Sequence, residues 1–153
     1  IGHSERRTIF NETDEVLKTK MKRALEQKLK VVFCVGESLT QYKQGKSIPY
    51  IIKQITKAFD KRINLKKIII AYEPIWAIGT NVTPKMQEID YIHYKIKEAM
   101  KRHFNIIKIP ILYGGSVKAT NSADIFSLKN VDGGLIGGAS LIASEFCKIY
   151  DTL

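Results

Sequence analysis

Ile68-Ile69-Ile70-Ala71-Tyr72-Glu73-Pro74 is the stretch whose reading decides the fold. An unbroken, largely β-branched apolar run that stops at a carboxylate and a proline is the pattern of a strand buried on both faces. The same form occurs upstream in Val31-Val32-Phe33-Cys34-Val35, ahead of Gly36-Glu37. It recurs downstream in Ile109 to Tyr113, ahead of Gly114-Gly115-Ser116, and in Gly134-Leu135-Ile136, ahead of Gly137-Gly138. Between these runs the periodicity is helical. Leu17, Met21, Ala24, Leu25 and Leu29 share one helix face, with Asn11 or Thr13 as the N-cap. Ile51, Ile52, Ile55, Ala58 and Phe59 share a second, with Pro49 in its first turn, and Ile89, Ile92, Ile96, Ala99 and Met100 a third. A short helix is expected at Ile125 to Leu128, and a closing one carries Phe146, Ile149 and Tyr150. Strands alternating with helices predict an α/β fold with a parallel sheet covered by helices. The pattern gives a strand remnant ending at His3 and then four strand–helix units. No linker divides them, so one domain is expected over residues 1–153.

Composition narrows the class. With 153 residues, 44% of them apolar, the chain is not a disordered one. No run approaches the ~18 apolar residues of a membrane helix. Cys34 and Cys147 are too few for a disulfide framework, which favours a reducing, cytoplasmic setting. The chain opens Ile1-Gly2-His3 with neither an initiator Met nor a signal peptide, so more chain is expected upstream. The net charge of +10 comes from residues such as Lys18, Lys22, Lys57, Lys61, Arg62, Lys95 and Lys101, spread over several helices and turns. Without interleaved aromatics they read as a solvated exterior that attracts anionic substrates, in preference to the rival reading of a nucleic-acid surface.

The chemistry-bearing residues gather where strands end, the face that carries active sites in parallel α/β folds. Glu73 at such a mouth suits a general base; from position alone it reads equally as a solvated carboxylate. Pro74 to Pro84 reads as a lid, with rigid ends and apolar residues in its middle, or as a loop packed on the rim. The two glycine turns let backbone N–H groups approach an anion, with phosphate the expected ligand. His3 precedes a helix start, where a neutral imidazole can donate to a carbonyl; a structural histidine is the other reading. His93 and His103 read as surface or packing residues. No cluster has metal-ligand spacing, so no metal is expected.

Five segments carry a resemblance. Ile1-Gly2-His3-Ser4-Glu5-Arg6-Arg7, Cys34-Val35-Gly36-Glu37, Ala71 to Thr80, Tyr113-Gly114-Gly115-Ser116-Val117 and Asp132 to Leu141 resemble, in order, the triosephosphate isomerase family. The resemblance covers the chain from residue 1 to residue 153. It implies the C-terminal portion of a TIM (β/α)8 barrel and interconversion of dihydroxyacetone phosphate and D-glyceraldehyde 3-phosphate, without metal or cofactor. By motif, Glu73 is the base and His3 the neutral electrophile, the family's established pairing. Gly79, Ser116, Gly137 and Gly138 hold the substrate phosphate through backbone N–H groups, Pro74–Pro84 is the lid, and Glu5 and Glu37 are supporting carboxylates. The resemblance also implies a cytoplasmic enzyme that is a homodimer at full length, with no nucleic-acid or membrane partner.

The chain departs from the family pattern in two places. Asn81 and Val82-Thr83-Pro84 stand where the family's lid has a second Gly and a Lys-Thr-Ala hinge, so Pro84 is expected to stiffen that hinge. The family's early substrate-contacting Asn and Lys have no counterpart here. A barrel of this kind needs about 250 residues, so the 153-residue chain alone is expected to be inactive or nearly so and prone to associate. The alternative reading is a half-barrel that binds phosphate, or serves as an assembly module, without catalysis.

Overall fold

A computed structural model describes residues 1–59, 65–80 and 82–153. Asn81, Lys61 and Arg62, on which parts of the reading above rest, lie outside the described residues. Helix α1 (Ser4–Thr8) and helix α2 (Asp14–Glu26) precede strand β1 (Val31–Val35). Helices α3 (Leu39–Lys43) and α4 (Ser47–Ala58) lead to strand β2 (Ile68–Tyr72). Helix α5 (Met86–Phe104), strand β3 (Ile111–Tyr113), and helices α6 (Ser122–Phe126) and α7 (Ala143–Tyr150) complete the order.

The strands pair in parallel in the order β1-β2-β3, with Phe33 opposite Ile70 and Tyr72 opposite Tyr113. Alternation along the strands buries Val31, Phe33 and Val35 of β1 and Ile68, Ile70 and Tyr72 of β2 in one core. Leu17 and Met21 from α2, Ile51 and Ile55 from α4, and Ile89, Ile96 and Met100 from α5 close over them. The helices end where local chemistry dictates. Thr13 caps α2 by accepting the Val16 N–H, and Ser38 and Gln41 form a capping box on α3. Asn105 takes the left-handed conformation (φ 57°) that terminates α5.

Two expectations need correction. The fourth strand is a single parallel bridge, Tyr113 to Gly134, with Asp132 N–H donating to Ile111 O and Leu135 N–H to Tyr113 O on either side of it. Leu29 lies beyond the end of α2 and is exposed. Helix α7 carries Phe146, Ile149 and Tyr150, as expected, and of these Ile149 is the buried one.

His93 is fully buried on α5, edge-on to the Tyr72 ring. Burial pushes its pKa down to about 4, against the partial opposition of the Asn130 backbone and of Asp132 and Asp90. Part of the basic exterior is paired: Lys22 with Glu26, Lys57 with Asp14, Lys95 with Glu98 and Lys97 with Asp132. No helix among the described residues is long and apolar enough to cross a membrane.

Candidate active site

The parallel ladder delivers Glu37 after β1, Glu73 after β2 and Gly114 after β3 to the same end of the sheet. Glu73 continues the ladder, its N–H donating to Val35 O at 2.7 Å, so its carboxyl is carried on rigid backbone. It is 3% exposed, with Oε1 3.3 Å from His3 Nε2 and Oε2 accepting the Ser4 N–H at 3.2 Å. Burial raises the pKa of Glu73; the His3 imidazole, the Ser4 N–H and the Cys34 thiol oppose that rise. The buried thiol is pushed up to about 12, mainly by desolvation and then by the charge of Glu73. Gly114 makes room for this carboxylate, since a Cβ there would stand 2.9 Å from Glu73 Cγ.

His3 is the N-cap of α1, and its Nδ1 accepts the Glu5 N–H at 3.4 Å. An imidazole nitrogen that accepts carries no proton, so Nε2 bears the N–H and directs it toward Glu73. Glu73 and His3 share a cavity of about 610 Å³ with Gly79, Ser116, Gly137 and Gly138. The structure therefore brings together both residues read as catalytic and all four read as phosphate-binding.

The two residues read as supporting carboxylates stand outside that cavity. Glu5 is 72% exposed and its carboxylate comes only to 4.0 Å from His3 Nδ1; the backbone N–H of Glu5 makes the closer contact. Glu37 is buried behind the strand ends, where its Oε1 accepts the Tyr72 hydroxyl at 3.2 Å and the Trp76 indole N–H at 3.0 Å. Burial raises its pKa, and the Trp76 and Tyr72 donors restrain the rise.

The first half of the Pro74–Pro84 segment is a short 3-10 turn, Ile75–Ala77, tied down at several points. Ile75 N–H donates to Glu37 O at 3.1 Å, Trp76 lies against Tyr42 (ring centroids 4.3 Å), and Ser116 Oγ donates to Ala77 O at 2.7 Å. Gly79 follows at φ 66°, a left-handed conformation in open space that a side chain would strain. Cys34, Ser4, Lys118 and Glu145 also belong to the site or its wall, and the sequence reading gave them no role there. Only Lys118 had a local signal, since it lies on the turn that begins at Ser116. Among the described residues no group of three or more His, Cys, Asp or Glu could hold a metal ion.

Parallel strand–helix units with a buried carboxylate, an imidazole and glycine turns gathered at the strand ends define the β/α-barrel class. A sequence profile of the triosephosphate isomerase family matches residues 1–153. This chain is 42% identical over 153 residues to a triosephosphate isomerase of Hahella chejuensis, covering 99% of this chain and 62% of that protein. It is 44% identical over 154 residues to one of Pseudomonas putida, covering 97% and 61%. Among solved structures, the triosephosphate isomerase from Bartonella henselae matches with a TM-score of 0.90 at 37% identity, over 99% of this chain and 62% of that one. The chain belongs to the triosephosphate isomerase family, and its fold is a partial TIM barrel. It spans 61–62% of the length of these relatives.

Proposed function

We propose that this chain supplies the proton-transfer and phosphate-holding portion of an isomerase that interconverts dihydroxyacetone phosphate and D-glyceraldehyde 3-phosphate. The observation that carries this reading is the 3.3 Å approach of His3 Nε2 to Glu73 Oε1 inside a cavity bordered by the glycine turns. Glu73 removes a proton from the carbon next to the substrate carbonyl. His3 donates its Nε2–H to the carbonyl oxygen as negative charge builds there, giving an enediolate. Glu73 then returns the proton to the former carbonyl carbon while the hydroxyl proton of the first carbon passes, by way of His3, to the former carbonyl oxygen, so the carbonyl changes carbon and one carboxyl serves as base and then as acid. A base of raised pKa suits both steps, because it holds the proton it takes more firmly before returning it.

Backbone N–H groups of Gly79, Ser116, Gly137 and Gly138 hold the phosphate, and the Ile75–Ala77 turn is the lid's anchored base. Glu37 supports the lid by holding the Trp76 indole. The place of this protein in carbohydrate metabolism, a cytoplasmic setting and a homodimeric full-length form are part of the same reading, supported by the family alone.

The test is to complete the chain with the N-terminal segment of a family member and follow isomerisation by a coupled assay. Turnover by the completed protein, with little by the chain alone, is the expected result. The alternative, a phosphate-binding half-barrel without catalysis, predicts phosphate binding by the chain and no turnover by the completed protein.

A further inference from the structure

The wall of the cavity carries an unbalanced set of charges. Glu73 and Glu145 are among the residues that line it, and Lys118 is the one lysine or arginine among those described. The carboxylate of Glu145 is held in place, with Oε1 accepting the Ala119 N–H at 2.8 Å. An anion entering this cavity meets backbone dipoles that attract it and fixed carboxylates that repel it.

Lys118 is mounted to offset that repulsion. Asn121 clamps the turn from Ser116 to Lys118 from both ends. Its Oδ1 accepts the Lys118 N–H at 2.8 Å, and its Nδ2 donates to Ser116 O at 3.2 Å. The Asn121 and Ser122 N–H groups also donate to Lys118 O, at 3.1 and 2.9 Å. The backbone that presents Lys118 is therefore fixed relative to Ser116. Its side chain is exposed, and no carboxylate among the described residues lies within ion-pair distance of the ammonium. A rigidly mounted base with an uncommitted charge is suited to meeting an anion that comes and goes.

We propose that Lys118 is the electrostatic anchor for the phosphate group of the ligand in this cavity, an assignment that rests on the phosphate reading above. It binds as a point charge through its flexible stem, adding to the backbone N–H donors and cancelling part of the field of Glu145. Its contribution is to affinity and association, and its substitution is read in phosphate binding.

Every residue in this argument lies in the chain itself, so the chain can be titrated directly with inorganic phosphate, following the Gly137 and Gly138 amide resonances by NMR. Lys118→Gln is expected to weaken binding roughly five- to tenfold, about 1 kcal/mol, and to flatten its dependence on added KCl. Lys118→Arg, which keeps the charge, is expected to stay within about twofold of the parent. Equal phosphate affinity in the parent and Lys118→Gln overturns the role of Lys118 and leaves the phosphate reading standing. Amide resonances of Gly137 and Gly138 that phosphate does not move in the parent chain overturn both.

Discussion

His3 Nδ1 accepts the Glu5 N–H at 3.4 Å while Nε2 faces Glu73 Oε1 at 3.3 Å. The two contacts assign the proton of a neutral ring to Nε2, the nitrogen nearer the buried carboxylate. Nitrogen-15 chemical shifts of the neutral His3 ring are therefore expected to show a protonated Nε2 and a bare Nδ1. The opposite tautomer would remove His3 from the carbonyl-polarising role, because its N–H would then point at the α1 backbone.

Gly114 bears on the base through space. A Cβ at this position stands 2.9 Å from Glu73 Cγ and 3.3 Å from Tyr72 O, so Gly114→Ala must displace the carboxyl or the strand end. In the completed protein that shift is expected to lower kcat roughly tenfold to a hundredfold, since a misplacement of about 1 Å costs that much. Circular dichroism and thermal melting should show the fold retained. An unchanged kcat would mean that the carboxyl position seen here is not the one that reacts.

The α5 core predicts a pH dependence of stability. The pKa of His93 is lowered from 6.5 to about 4 by burial. The unfolded chain therefore binds a proton at this residue between those values that the folded chain does not. Stability from this residue is complete above pH 6.5 and falls as pH drops toward 4. The loss is on the order of 3 kcal/mol at one pKa unit per ~1.4 kcal/mol. Denaturant titrations from pH 7 to pH 4 should show this fall, and His93→Phe should flatten it. An equal slope in the variant would assign the loss to other groups.

Much of this architecture was legible in the sequence, for reasons that individual residues make plain. β1 and β2 match their apolar runs residue for residue, because nothing in Val31–Val35 or Ile68–Tyr72 interrupts the ladder. β3 begins two residues later than its run, at Ile111, since Pro110 lacks the N–H that a ladder position needs. Glu73 and His3 were readable because strand ends and helix starts are marked in sequence. Glu5 was read as a supporting carboxylate by motif alone; its helical position turns the side chain out to solvent while its N–H meets His3. The Cys34 thiol and the Ser4 N–H beside Glu73 had no comparable signal, because only the β1–β2 pairing and the return of the chain at Ile1–Ser4 bring them there.

The account turns on Glu73 as the group that moves the proton, and the most direct measurement is the kcat of Glu73→Asp in the completed protein with dihydroxyacetone phosphate as substrate. Shortening the side chain by one methylene retracts the carboxyl by about 1 Å and keeps its charge. The expected result is a kcat lower by about a hundredfold or more, with KM changed only slightly. A kcat equal to that of the parent would contradict the assignment of Glu73 and with it the proposed function of this site.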